Sequence, residues 1–264
     1  MPTALIIRTA GTNCDAELVR AFEQAGASTR LVHLDRVLAS PSLIEEADLL
    51  GFPGGFSYGD DISAGRVFAV RVRERLYGAL RDAAAAGTPM IGVCNGFQVL
   101  AQAGLLPALD GLPREAPAPT VALTNNTSGR FIDRWVRMEV PEETACVWTR
   151  GLAGEDFELP IAHGEGRFVA DEAMLDRIEG AGCVAIRYGE AINGSCREIA
   201  GICDPSGRVF GLMPHPERFL TWRHHPLWTR LRAMGDRRLE TVTPGMRMFA
   251  AAIEAVDRVG AVGS

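Results

Sequence analysis

The chain has 264 residues, of which 47% are hydrophobic and 23% charged, with a formal net charge of −6. These values suit one globular α/β domain able to bury a full core, and they argue against nucleic acid as a partner. No apolar run approaches the roughly 20 residues of a membrane span, so no membrane association is expected. All 27 basic residues are arginine, which excludes Schiff-base and phosphate-loop lysine chemistry. The six cysteines are scattered and no basic, apolar leader precedes them, so they read as free thiols of a cytoplasmic chain rather than disulfides or a zinc site.

The first half alternates strand and helix. Ala4–Arg8 predicts a strand, Asn13–Ala25 a helix ended by Gly26, Thr29–Leu34 a second strand and Ala47–Phe52 a third. Arg66–Ala86 reads as one long helix closed by Gly87, Pro89–Val93 as a buried strand, and Asn95–Ala103 as the helix behind it. Continuous apolar strands separated by helices predict a doubly wound, mostly parallel sheet covered on both faces. Such sheets bind ligands at the carboxyl ends of their strands, where the Thr9–Asn13 turn and the Pro53–Asp60 loop both fall.

The second half predicts strands at Thr120–Leu123, Trp135–Val140, Leu159–Ala162, Val184–Tyr188, Gly201–Cys203 and Val209–Met213. Leu106–Pro119, with four prolines, is a surface loop, and Thr124–Trp135 a polar, arginine-bearing hairpin that is either solvated or faces a partner. Pro244–Val259 closes what reads as a single domain, 1–264.

Two short segments carry the chemistry. In Met90-Ile91-Gly92-Val93-Cys94-Asn95-Gly96-Phe97-Gln98 an apolar run ends in Gly-x-Cys-x-Gly and a helix follows at once. The flanking glycines allow the sharp strand-to-helix turn that lifts a nucleophile onto the first turn of a helix. Free N–H groups there can meet a developing oxyanion. In Met213-Pro214-His215-Pro216-Glu217-Arg218 each proline holds the residue before it extended. His215 and Glu217, two apart, then project to the same side. Cys94, His215 and Glu217 thus suit nucleophile, base and orienter.

These motifs, with Pro53-Gly54-Gly55-Phe56-Ser57-Tyr58-Gly59-Asp60 and Ala162-His163-Gly164-Glu165-Gly166, resemble those of class I (triad-type) glutamine amidotransferases. More narrowly they resemble the glutaminase subunits of phosphoribosylformylglycinamidine synthases, over about Ala4 to Arg218 and the last helix. The resemblance implies a flavodoxin-like fold and a cysteine thioester formed from L-glutamine. It also implies an oxyanion hole of Gly55 and Asn95 N–H groups, and glutamine contacts from Gly54, Gln98, His163 and Gly164. The ammonia then passes to a large synthetase subunit, with a third, small subunit left open. Neither metal nor organic cofactor is expected in this chain; ATP and Mg²⁺ belong to the partner. Two departures stand out: Arg8-Thr9-Ala10-Gly11 replaces a usual Pro-Gly turn, and Phe219–Thr243, with His224-His225, is an insertion too poor in ligands for a metal site. The rival readings are another cysteine hydrolase such as a peptidase or deglycase, the glutaminase of a different amidotransferase, and a non-catalytic assembly subunit.

Overall fold

Crossover helices return the chain to the same end of a sheet, so apolar strands that alternate with helices pair in parallel. The computed structural model describes residues 1–262 and shows this for its first half. The strands are β1 (Thr3–Arg8), β2 (Ser28–His33), β3 (Leu49–Phe52), β4 (Met90–Val93), β5 (Ala122–Thr124), β6 (Ile132–Glu139), β7 (Phe157–His163), β8 (Arg167–Val169), β9 (Val184–Tyr188), β10 (Ile199–Cys203) and β11 (Val209–Leu212). Nine of them form one sheet in the order β2-β1-β3-β4-β11-β10-β9-β6-β7, and β5 pairs with β8. The five strands from β2 to β11 are parallel, in the flavodoxin-like order. The remaining four continue the sheet as an antiparallel wing. The sheet is therefore doubly wound in its parallel half and mixed as a whole.

Helices Asp15–Gln24 and Pro244–Val262 pack together, and Arg66–Arg75 packs on Asn95–Gln102. Phe22, Trp148, Phe210 and Phe249 join edge-to-face or tilted in one buried cluster, the arrangement their ring quadrupoles favour. Among the described residues no helix is long and apolar enough to cross a membrane.

Two expectations change, and further helices go unforeseen. The helix expected over Arg66–Ala86 breaks at Leu76, whose φ of −121° ends the first segment and lets Leu76 and Tyr77 both turn inward. Thr124–Trp135 is no hairpin: β5 pairs with β8, β6 with β7 and β9, and the segment links two sheets. Helix Glu172–Gly180 goes unforeseen although Asp171 caps it, its carboxylate accepting from Met174 N–H at 2.7 Å. The short helices Leu34–Ala39 and Ser42–Glu45 were likewise not expected.

The segment 219–243 folds onto the antiparallel wing. Phe219 and His225 both pack against Trp135, and His225 Nε2 lies 3.0 Å from Glu158 Oε2. His224 instead accepts the Leu220 N–H at Nδ1. Adjacent histidines with separate partners do not converge on one point.

Candidate active site

Register builds the site. β11 runs beside β4, with Leu212 opposite Val93, so both strands deliver their next residues to the same sheet edge. Cys94 N–H donates to Leu212 C=O at 2.7 Å, and His215 N–H to Pro160 C=O at 2.8 Å. Cys94 follows β4 and caps the helix Asn95–Gln102 with φ 52° and ψ −106°. A non-glycine residue there stores about 1–3 kcal/mol of strain, which the surrounding packing must hold. The flanking glycines do a different job from the one expected. Gly92 and Gly96 keep ordinary φ; what they provide is space. A Cβ on Gly96 would sit 1.9 Å from Phe52 O, and one on Gly92 2.5 Å from Gly96 O. Gly96→Ala should therefore destabilise the fold by more than about 3 kcal/mol, beyond ordinary overpacking because the obstacle is backbone. Denaturant titration measures this, and an unchanged midpoint would contradict the packing.

His215 and Glu217 are 1% and 2% exposed, and His215 Nδ1 donates to Glu217 Oε1 at 2.6 Å. The pair does not lie in extended chain as expected. Pro216–Arg218 is a turn of 3₁₀ helix, with His215 before it at φ −109° and ψ 83°, and this turn brings the carboxylate back to the ring. Burial works against a charged imidazole, but the Glu217 carboxylate and the thiols of Cys14 and Cys94 together outweigh it, and the pKa of His215 stands well above its ordinary value. His215 Nε2 has no hydrogen-bond partner, so it is the nitrogen available for proton exchange.

Two cavities meet at Cys94. One, of about 150 Å³, is lined by Cys94, Gly55, Asp60, Gln98, His163, Gly164 and Glu165 among others. Gly55 has φ 137°, and a Cβ there would press on Asn13 N at 2.6 Å, so this close approach requires glycine. Asn95 N–H is among the first amides of its helix, which have no carbonyl of their own helix to bond. Gly54 lies under the centre: a Cβ would come within 2.9 Å of His215 Cε1.

The residues expected to contact glutamine have hydrogen-bond partners within the protein. Both ends of the Gln98 carboxamide are engaged, Nε2 donating to Glu165 C=O at 2.5 Å and Oε1 accepting from Asn95 Nδ2 at 3.1 Å. His163 Nδ1 donates to Asn126 Oδ1 at 3.1 Å, and Nε2 lies 3.4 Å from Tyr188 Oη. Burial, then the charge of His215, pushes the pKa of His163 down to about 4, which makes it a weaker base than His215. The Gly164 carbonyl accepts from Asn126 N–H.

Sequence reasoning left two carboxylates without a role. Asp60 and Glu165 face the same cavity, and burial raises the pKa of Asp60, opposed by the Gly65 N–H and reinforced by Glu165. Glu165 Oε2 accepts the Ala64 N–H at 3.2 Å. Their residues lie in quoted motifs, but nothing local to either motif says that they face one another.

An elbow thiol over a buried histidine–carboxylate pair, on this sheet order, marks the class I glutamine amidotransferases, and residues 1–256 match the CobB/CobQ-like glutamine amidotransferase domain. Over 261 residues the chain is 40% identical to phosphoribosylformylglycinamidine synthase subunit PurQ of Dehalococcoides mccartyi, covering 95% of this chain and 96% of that one. It is 42% identical over 225 residues to the subunit of the same name from Novosphingobium aromaticivorans, covering 84% and 90%. The structure of PurLQS from Thermotoga maritima superposes with a TM-score of 0.73 at 33% identity, over 96% of this chain and 98% of that chain. The chain belongs to the PurQ family of glutamine amidotransferases.

Proposed function

We propose that this chain is the glutaminase of a phosphoribosylformylglycinamidine synthase, releasing ammonia from glutamine for a synthetase subunit of purine biosynthesis. The observation that carries this reading is the Nδ1–Oε1 bond of 2.6 Å between buried His215 and Glu217, beside a thiol held at a strained elbow. Cys94 attacks the glutamine side-chain amide, and the N–H groups of Gly55 and Asn95 receive the oxyanion. His215 already carries the proton that departing ammonia needs. It then takes one from the water that hydrolyses the glutamyl thioester, while Glu217 holds the ring. The reaction in this subunit needs no metal or organic cofactor; ATP and Mg²⁺ are used by the partner. Relatives bear the name of one subunit of an enzyme, and the solved assembly is named PurLQS. By the same logic this chain works in the cytoplasm with a large synthetase subunit and a small third one.

Asp60 and Glu165 are suited to the α-ammonium of glutamine, because two carboxylates of one cavity repel until a cation lies between them. Gln98 then positions Glu165 rather than touching substrate. Asp60→Asn is expected to raise KM for glutamine about 10- to 100-fold with kcat little changed, the range for losing a charge-assisted hydrogen bond. Steady-state kinetics decides: a fall in kcat at unchanged KM would place Asp60 elsewhere in the reaction.

The function itself is tested by following ammonia release from free glutamine, with and without the synthetase subunit. Absence of ammonia release in both cases would favour the peptidase reading if peptides are cleaved and the assembly-subunit reading if they are not.

A further inference from the structure

The catalytic steps leave one sulfur at the site unused. Cys14 is buried, caps the helix Asp15–Gln24, and its Sγ accepts a hydrogen bond from Arg218 Nη2 at 3.1 Å. A guanidinium on the sulfur and a helix amino end beside it are the surroundings of a nucleophilic cysteine rather than of a packing one. Cys14 also lies close to the nucleophile. A Cβ built on Gly54 would be 3.3 Å from Cys14 Sγ and 3.4 Å from Cys94 Cβ. Both thiols raise the proton affinity of His215. Both also line the second cavity at Cys94, about 190 Å³, with Asn13, Asp133, His215 and Arg218, whereas the other four cysteines line neither cavity.

We infer that Cys14 is a resolving thiol, which converts peroxide-oxidised Cys94 into a reversible Cys14–Cys94 disulfide. This rests on the reading of Cys94 as the nucleophile. In the first step Cys94 thiolate attacks one oxygen of hydrogen peroxide. The O–O bond breaks, Cys94 becomes a sulfenic acid, and the released hydroxide leaves as water with a proton from the site. In the second, Cys14 thiolate attacks Cys94 Sγ, the S–O bond breaks, and the hydroxide departs as water with the proton of His215. Two thiols and one peroxide give one disulfide and two waters, the two electrons coming from the sulfurs. Closing the bond draws Cys14 away from Arg218. The disulfide switches the glutaminase off. It also keeps the nucleophile from the sulfinic stage, from which ordinary thiols cannot restore it.

The test treats the complex of this chain with its synthetase subunit with hydrogen peroxide, then with dithiothreitol, each sample compared with its own untreated activity. The wild type should lose glutaminase activity and regain it, and non-reducing peptide mapping should show Cys14 and Cys94 peptides joined, two hydrogens lighter than the free pair. Cys14→Ser and Cys14→Ala should lose activity equally but recover at least about tenfold less, with Cys94 found as sulfinic acid. Two variants guard against a folding defect in either one, and circular dichroism checks both. Full recovery of both variants, or oxidised Cys94 in the wild type without the cross-linked peptide, would overturn the inference. Labelling of untreated enzyme with a diazo-ketone glutamine analogue separates the two readings. Loss of labelling at Cys94 defeats the nucleophile assignment, whereas labelling without the disulfide defeats the resolving role alone.

Discussion

Cys94→Ala is expected to abolish glutamine-dependent amination in the reconstituted complex, by at least about 10³-fold, while leaving amination from added ammonium intact. The magnitude follows from the loss of the covalent step, since no other thiol stands at the elbow where the helix amides converge. Cys14 lies nearby but follows a different strand, β1, and caps a different helix. The second half of the prediction follows from the division of labour, because the acceptor chemistry belongs to the synthetase subunit and needs only ammonia. The small side chain of alanine also fits the space without strain beyond that already present at φ 52°. Parallel assays with glutamine and with ammonium chloride provide the measurement. If both activities fell together in an assembled complex, the subunit would be doing more than supplying ammonia.

Much of this site is legible in the chain because its determinants are local. Gly92 and Gly96 flank Cys94 within five residues, and Pro214 and Pro216 flank His215 within three. Each constrains its own neighbour's backbone, so elbow and base can be read without knowing the fold. The glycines are demanded by the backbone oxygens of Phe52 and Gly96 rather than by φ, and Glu217 reaches His215 through a 3₁₀ turn. What stayed hidden is non-local. Asp60 and Glu165 come from a loop after β3 and a loop after β7, and only the assembled sheet places them on one cavity. Arg218 and Cys14 are 204 positions apart and meet because helix Asp15–Gln24 packs against the turn Pro216–Arg218. The antiparallel wing is equally invisible to periodicity, since β9, β10 and β11 are all nearly continuous apolar runs and read alike whether neighbours run with or against them.

His215→Asn should be the more severe of the two changes at the base, and Glu217→Gln the more informative. The imidazole carries the proton to ammonia and takes one from water, so its loss interrupts both halves of the reaction, and a fall of about 10³-fold or more in turnover is expected. Glu217 touches no substrate. Its carboxylate offsets the burial that would otherwise drive the ring to its neutral form. With the carboxylate in place the folded pKa is raised above the unfolded value of about 6.5. The pair's stabilisation is therefore fully present below about pH 6.5 and is lost as pH rises through the folded pKa. Glu217→Gln removes the largest influence that favours the imidazolium and leaves burial opposed only by the thiols of Cys14 and Cys94. The ring should then titrate lower than in the wild type and hold less firmly the proton that ammonia requires. A fall in turnover of about 10² to 10⁴ is expected, with slow acylation of Cys94 still detectable, because a carboxamide keeps the size and one hydrogen bond of the carboxylate but can favour the wrong tautomer. NMR titration of the ring resonances in the folded variant, beside glutaminase rates against pH, measures both effects. A ring that still titrates well above its ordinary value in Glu217→Gln would show that the carboxylate is not what holds the proton. A rate lower than that of His215→Asn would show that orienter and base have been assigned the wrong way round.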